Sequence, residues 1–449
     1  MTDYDDRNKL GGRVRRYAQV TSSVGGLAAK LAGERFLGIN IDKGAHAAEL
    51  KAALGGLKGP VMKVAQILST IPDALPREYA QELAQLQANA PSMGWPFVKR
   101  RMKGELGPGW QSHFQDFSKD ALAAASLGQV HKAMDLEGNA LAVKLQYPEM
   151  ESAVEADLKQ MALFLSVAKR YDNSIDTSLI KEELAERLCE ELDYGREAKH
   201  IELYRHMLRD EPNVHIPAVR QDLSTDRLIT MGWVDGKPML SFKDADQETR
   251  NQLAINLFRA WYVPFHRYGV IHGDPHLGNY TVREDLSLNL LDFGCVRIFS
   301  PPFAGAVIDL YRALRDGDRD LAVEAYKVWG FPDLSNELID TLNIWAAFLY
   351  GPLMEDKPRL INAADNPGEY GRETAEKVHR KLKELGPVTP PREFVFMDRA
   401  AIGLGGVFLH LRAEVNWYRI FNEIIDGFDV PALAKRQSEA LAMVGLAGP

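Results

Sequence analysis

Ile271-His272-Gly273-Asp274-Pro275-His276-Leu277-Gly278-Asn279 and, further along, Leu290-Leu291-Asp292-Phe293-Gly294 are the stretches whose reading decides this chain. Asn279 follows Asp274 by five positions, and Asp292 follows Asn279 by thirteen, a gap that reads as a hairpin. Two carboxylates and an amide oxygen are hard donors of the kind magnesium takes together with phosphate oxygens. An isolated Asp-Phe-Gly would carry little, because tripeptides recur by chance; two motifs in sequence carry far more. The plainer alternative is that Asp274 and Asn279 cap a turn and Asp292 closes a hairpin, as these residue types commonly do.

That order is the one protein kinases use: a catalytic-loop Asp, an Asn five positions on, and a metal-binding Asp in an Asp-Phe-Gly turn. Phosphoryl transfer asks little covalent chemistry of a protein. It needs an acceptor held in line and divalent metal on the phosphates while negative charge develops. On this reading Asp274 is the base or acceptor-orienting carboxylate, Asn279 and Asp292 hold Mg²⁺, and ATP is the phosphoryl donor.

At 449 residues the chain is long enough for two or three domains. Its 46% hydrophobic and 26% charged residues describe a globular protein with an ample core. A net charge of -8 argues against nucleic acid as a partner of the whole surface. Two cysteines, Cys189 and Cys295, exclude a disulfide scaffold, fit a reducing compartment and read as small buried residues rather than ligands. No window reaches the ~18 to 20 apolar residues of a membrane span; Ile344 to Leu353 and Ala401 to Leu409 read as core helices. The acidic opening Met1 to Asp6 has no apolar signal region, so a cytoplasmic location is expected.

Residues 1–112 read as a helical N-terminal extension, with helical spacing over Val61 to Leu68 and Tyr79 to Leu86 and breakers at Pro72 and Pro76. From Phe114 the pattern changes. Leu127 to Lys132 and Asn139 to Gln146 predict two strands about the turn Leu136-Glu137-Gly138-Asn139, with Leu141, Val143 and Leu145 alternating against Ala142 and Lys144. A helical region spans about Glu151 to Arg205, and Leu228 to Val234 is a further strand-like run ending at Asp235-Gly236. From about Thr249 the chain is helical outside the motif region. The expected fold is α+β and bilobal, kinase-like, with a small β-containing lobe over 113–235 and a helical lobe over 236–449.

Lys144, in Leu141-Ala142-Val143-Lys144, matches the kinase Val-Ala-Ile-Lys strand whose lysine holds the α- and β-phosphates and pairs with a helix glutamate. The candidates for that partner are Glu182, Glu183, Glu186, Glu190, Glu191 and Glu197, most of which must form a solvated helix face. Where a kinase carries a glycine-rich loop, this chain has Ala121-Leu122-Ala123-Ala124-Ala125-Ser126-Leu127-Gly128-Gln129. Alanine drapes over phosphates less freely than glycine, so nucleotide geometry or metal preference should differ from an ordinary kinase.

Taken together, the chain resembles the UbiB/AarF family of atypical protein-kinase-like proteins. The resemblance rests on Ala123-Ala124-Ala125-Ser126, Leu127-Gly128-Gln129-Val130-His131, Ala142-Val143-Lys144-Leu145-Gln146-Tyr147-Pro148, Glu191-Leu192-Asp193, Arg196-Glu197-Ala198 and the two motifs above, in family order over about residues 60 to 300. It implies Glu191 as the partner of Lys144 and Glu197 as a further pocket residue. It implies a nucleotide site of Ala123, Ala124, Ala125, Ser126, Lys144, Met231 and Val234, and a role in ubiquinone biosynthesis or lipid homeostasis.

The family's Lys-x-Gly-Gln helix, which folds across the active site, stands here as Lys63-Val64-Ala65-Gln66, with alanine for glycine. Lys63 and Gln66 share a helix face, and the resemblance implies that they regulate the site together with Asp193 and Glu197. The plainer reading is an ordinary amphipathic helix. Basic stretches at Arg7 to Arg16 and Lys99 to Lys103 can dock anionic lipid headgroups or simply be solvated, so a lipid or quinone-precursor ligand and peripheral membrane contact are the partners expected. Two competing functions remain: a small-molecule phosphotransferase of the aminoglycoside-kinase kind, whose loop His272-Gly273-Asp274 also resembles, and a non-catalytic nucleotide-dependent scaffold.

Overall fold

A computed structural model describes residues 92–124, 127–148, 190, 192–331, 334–361 and 391–449, with isolated positions between 374 and 384. It divides into two compact units. Among the described residues, the first takes those up to Arg196 together with Val219–Trp233, and the second takes those of Glu197–Ala218 and from Val234 on.

The first unit is built on a five-stranded antiparallel sheet. Its strands are β1 (Phe114–Phe117), β2 (Ala123–Ala124), β3 (Gly128–Asp135), β4 (Ala140–Gln146) and β6 (Leu228–Gly232), β5 belonging to the second unit. The order is β1-β3-β4-β6, with β2 also on β3. The β3–β4 turn is closed by Asp135, whose Oδ1 accepts the backbone N–H groups of Glu137 and Asn139. Asn139 donates to the same side chain, and these bonds hold the Asp135 carboxyl below its ordinary range.

Side chains alternate between the faces of a strand, and here the faces differ in kind. Leu141, Val143 and Leu145 are buried with Leu228, Ala133, Phe114 and Trp110. Covering them is α1 (Trp95–Leu106), whose Val98 and Met102, one turn apart, enter the same core. Residues 95–106 thus belong with the sheet. Arg101, in a stretch that reads as surface charge, is structural: its guanidinium donates to Gln146 O and Tyr147 O at 3.1 Å each and to Glu105 at 3.0 Å, fixing the end of β4. Lys99, Arg100 and Lys103 on the same helix are exposed.

The second unit is mainly helical. Its helices are α2 (Tyr194–Met207, whose first turn lies at the division), α3 (Gln247–Tyr268), α4 (Pro301–Asp316), α5 (Arg319–Val328), α6 (Asn336–Tyr350), α7 (Arg392–Leu411), α8 (Trp417–Ile425) and α9 (Val430–Val444). Most start where a short polar side chain takes an orphan N–H of the first turn: Asp246 for α3, Ser300 for α4, Asp318 for α5, Ser335 for α6, Asn416 for α8 and Asp429 for α9. Two small sheets sit among them. One is β5 (Val214–His215), β10 (Leu288–Leu290), β9 (Tyr280–Val282) and β7 (Lys237–Pro238) in that order; the other pairs β8 (Val270–His272) with β11 (Val296–Ile298). Among the described residues no helix is long and apolar enough to cross a membrane.

A charged clamp ties three elements of this unit. Arg259 of α3 grips buried Glu211 at 2.6 and 3.0 Å and reaches Glu423 of α8 at 2.9 Å. These bonds raise the guanidinium pKa further still. Removing one partner of a buried pair strands the other's charge. Arg259→Met should therefore destabilise the protein by about 3 kcal/mol, read as a lowered urea midpoint. Adding Glu211→Gln should recover part of the loss; no recovery would mean the arginine acts through packing alone.

Candidate active site

Asp274 lies just past the end of β8. His272 closes that strand, and its Nδ1 accepts the backbone N–H of Asp274 at 3.3 Å. An imidazole that accepts at Nδ1 carries its proton on Nε2, and Nε2 lies 2.5 Å from the carbonyl oxygen of Asp292. One neutral ring therefore fixes the main chain beside both motif aspartates. Gly273 makes the approach possible: its N–H donates to Cys295 O at 2.6 Å, and a Cβ there would come within 2.7 Å of the Cys295 Sγ. Cys295 is half-buried and belongs to this wall.

The expected hairpin is β9 and β10, in register Tyr280↔Leu290, Thr281↔Asn289 and Val282↔Leu288. One step beyond it, Leu291 N–H donates to Asn279 O at 3.0 Å. The thirteen-residue gap thus folds back so that Asn279, just before β9, and Asp292, just past β10, lie at the same end of the hairpin, one residue out of register. Asn279 also donates from Nδ2 to Asp274 O at 3.1 Å and to Asp274 Oδ2 at 3.3 Å. With the amide nitrogen committed there, its oxygen is the end left to accept, which is the end a hard cation uses. Asp292 Oδ1 accepts Gly294 N–H at 3.0 Å and closes the Asp-Phe-Gly turn. Asp274, Asn279 and Asp292 are thereby assembled in one unit by backbone pairing and one histidine. Their donor set, a carboxylate and an amide oxygen beside a second carboxylate, fits Mg²⁺ completed by phosphate oxygens.

Behind the turn, Phe293 is fully buried. His200 Nδ1 lies 3.1 Å from its carbonyl, and the Tyr204 ring is 5.1 Å away. His200 and Tyr204, four apart on α2, thus present one helix face to Phe293. Burial pushes the Tyr204 hydroxyl well above its ordinary pKa, with the neighbouring Tyr280 and Cys295 adding to it. Trp261 packs 5.7 Å from the His272 ring and donates to Tyr280 Oη at 2.9 Å. On the other side, Gly403 of α7 rests against Pro275, where a Cβ would stand 2.4 Å from the proline Cγ. Nothing in the sequence motifs singles out His200, Tyr204 or Gly403; only the four-residue spacing of the first two is a sequence signal.

In the first unit, register places the expected nucleotide-binding residues. Val130 is flanked by Ala123 of β2 and Lys144 of β4, and Ala142 pairs with Met231 of β6. Register partners, and residues two apart on a strand, share a face, so Ala123, Ala142, Lys144 and Met231 share the face opposite the α1 core. The Lys144 ammonium lies 5.1 Å from the ring centroid of Tyr194, a cation–π contact. Ala124 pairs with Gln129; Ala125, Ser126, Glu191, Lys63 and Gln66 lie outside the described residues. Asp193 is exposed and accepts Arg196 N–H at 2.8 Å. In the second unit, Glu197 is buried on α2 and Val234 is half-buried just past β6.

A β-sheet bearing a strand lysine, and a helical unit bearing a catalytic-type loop and an Asp-Phe-Gly turn, define a protein-kinase-like α+β fold. A family model described as the ABC1 atypical kinase-like domain matches residues 85–326, and the chain belongs to that family, the UbiB family. It is similar to atypical kinase coq-8, mitochondrial, of Caenorhabditis elegans, 26% identical over 437 residues, 93% of this chain and 56% of that protein. It is likewise similar to atypical kinase COQ8, mitochondrial, of Saccharomyces cerevisiae, 26% identical over 380 residues, 82% of this chain and 74% of that one. The chain thus spans little more than half the length of the nematode relative. A solved structure of Rv3197 of Mycobacterium tuberculosis in complex with erythromycin aligns with a TM-score of 0.59 and 27% identity, covering 86% of this chain and 96% of that one.

Proposed function

We propose that this chain binds ATP with Mg²⁺ and transfers or hydrolyses the γ-phosphoryl group, in support of ubiquinone biosynthesis or lipid homeostasis as the family resemblance implies. The observation that carries the reading is the hydrogen-bonded assembly of Asp274, Asn279 and Asp292 about His272. A bound Mg²⁺ would neutralise charge on the phosphates as the transfer proceeds. Asn279 and Asp292 supply oxygens to hold it, and Asp274 orients the acceptor hydroxyl or water and takes its proton. Lys144 holds the α- and β-phosphates as a point charge on a rigid strand, with Glu191 as its partner. The alanines of β2 carry methyl groups where phosphate-cradling glycines would leave bare backbone, and Lys63 and Gln66 are proposed to act on the same site. Of the basic stretch on α1, Lys99, Arg100 and Lys103 are exposed and available to an anionic membrane surface, Arg101 being committed to β4.

The metal role has its own test. Asp292→Asn removes a formal charge facing the cation and should weaken MgATP binding roughly 30-fold, about 2 kcal/mol, while metal-free ATP binding changes little. Isothermal titration with and without EDTA reads both values. Equal losses in the two titrations would contradict the assignment of Asp292 to the metal.

A further inference from the structure

Arg297 stands on β11, shortly after the Asp-Phe-Gly turn, in register with Ile271 of β8. Its side chain is half-buried, and its stem lies over the catalytic loop: a Cβ on Gly273, the residue before Asp274, would come within 3.8 Å of the arginine Cγ. The guanidinium ends 5.0 Å from the ring centroid of Phe396 on α7. A second guanidinium, that of exposed Arg392, lies 5.3 Å from the same ring.

Helical spacing accounts for the arrangement. Arg392 and Phe396 are one turn apart on α7 and Gly403 is two turns further on, so all three fall on one face of the helix. Gly403 sets that face against Pro275, the residue after Asp274. Asp274 is thus flanked by Gly273 beneath the Arg297 stem and by Pro275 beneath the helix that carries Arg392.

Two like charges on one ring repel each other. A guanidinium laid on an aromatic face still directs its N–H groups outward in its own plane, where it takes an oxyanion two bonds at a time. It has five such donors, of which Arg297 gives one to Val296 O at 3.4 Å. A dianion can meet both guanidinium groups and offset their repulsion; a neutral group cannot.

We infer that Arg297 and Arg392 form a binding site for a phosphomonoester group on the phosphoryl acceptor, beside the carboxylate that orients the acceptor's hydroxyl. The inference rests on the phosphoryl-transfer reading and adds to it a substrate class, an alcohol that already carries a phosphate. In the transfer, the hydroxyl oxygen bonds to the γ-phosphorus of ATP, its proton passes to Asp274, and ADP leaves with the electrons of the broken phosphoanhydride bond. The phosphate on the arginines is neither formed nor broken.

Phenyl phosphate is the probe, titrated calorimetrically into the full-length protein at about pH 8, where a phosphomonoester is a dianion, with and without saturating MgADP. It should bind saturably at one site in both titrations, and phenol, its neutral counterpart, should not bind measurably. Arg392→Gln, an exposed change that leaves the core alone, should weaken binding roughly tenfold, the worth of a charge-assisted hydrogen bond. Arg297→Lys keeps the stem and the charge but loses the fork, and should weaken it severalfold. Dihexanoyl phosphatidic acid, the same group on a soluble lipid, should compete with the probe; the tighter of the two shows whether the phosphate is borne by a lipid or by a free metabolite. The inference is overturned if phenyl phosphate does not bind saturably, if both arginine variants bind it as the wild type does, or if MgADP displaces it, which would put it in the nucleotide site. Binding of MgADP itself, measured alongside, tests the nucleotide reading separately, so the two failures are told apart.

Discussion

Replacing Asp274 by asparagine is expected to cut ATP turnover about a thousandfold, the middle of the range for loss of a positioned general base, while leaving the fold and nucleotide affinity nearly unchanged. The side chain keeps its size and its acceptor oxygen but loses the ability to take a proton. Its surroundings depend little on its charge: the His272 ring holds Asp274 by its backbone N–H, and the Asn279 amide reaches its carbonyl at 3.1 Å as well as its side chain at 3.3 Å. The thermal midpoint should therefore move by no more than a degree or two, since surface-like changes of this kind cost about 0.5 kcal/mol or less. Undiminished turnover would leave nucleotide binding without chemistry, the scaffold function, as the better account.

The second large effect concerns Lys144 and Glu191. If one ammonium positions the phosphates and one carboxylate positions that ammonium, Lys144→Ala and Glu191→Ala should each lower turnover about a hundredfold, and the double variant should be little worse than either. The structure anchors the lysine end: Lys144 is paired on one side with Val130 and on the other with Ile229, and its ammonium stands over Tyr194. Losses that multiply in the double variant would identify another carboxylate as the partner. Tyr194→Leu, which removes the buried ring beneath the ammonium together with its hydroxyl, should fall between wild type and Lys144→Ala.

Legibility of the chain followed how much of each feature is local. The β3–β4 hairpin was readable because seven residues of strict alternation leave one buried face, and Leu141, Val143 and Leu145 are at most 2% exposed. The β9–β10 hairpin was readable for a different reason: a fixed interval between two motifs has to be folded back for their oxygens to meet. The strands β5, β7, β8 and β11 are two or three residues long, too short to show any period, and pair with partners distant in sequence. The alanine-rich stretch carries the two-residue strand β2, since a short run of Ala has no alternation to display. Arg101 looked like one charge among four until its hydrogen bonds to the end of β4 were visible, because a guanidinium's partners are set by tertiary approach. His272 stood in the motif without a function of its own; the tautomer and the double contact that give it one exist only once β8 and the Asp-Phe-Gly turn are side by side.

The proposed function comes down to one step, cleavage of the terminal phosphoanhydride of ATP with Mg²⁺ that Asn279 and Asp292 would hold. Release of inorganic phosphate from γ-labelled ATP by the purified full-length protein, followed under single-turnover conditions, measures it directly. The account predicts release that requires Mg²⁺, stops on addition of EDTA, and falls to background in Asp274→Asn at saturating nucleotide. Release that persists unchanged in EDTA, or proceeds at the wild-type rate in that variant, would contradict it.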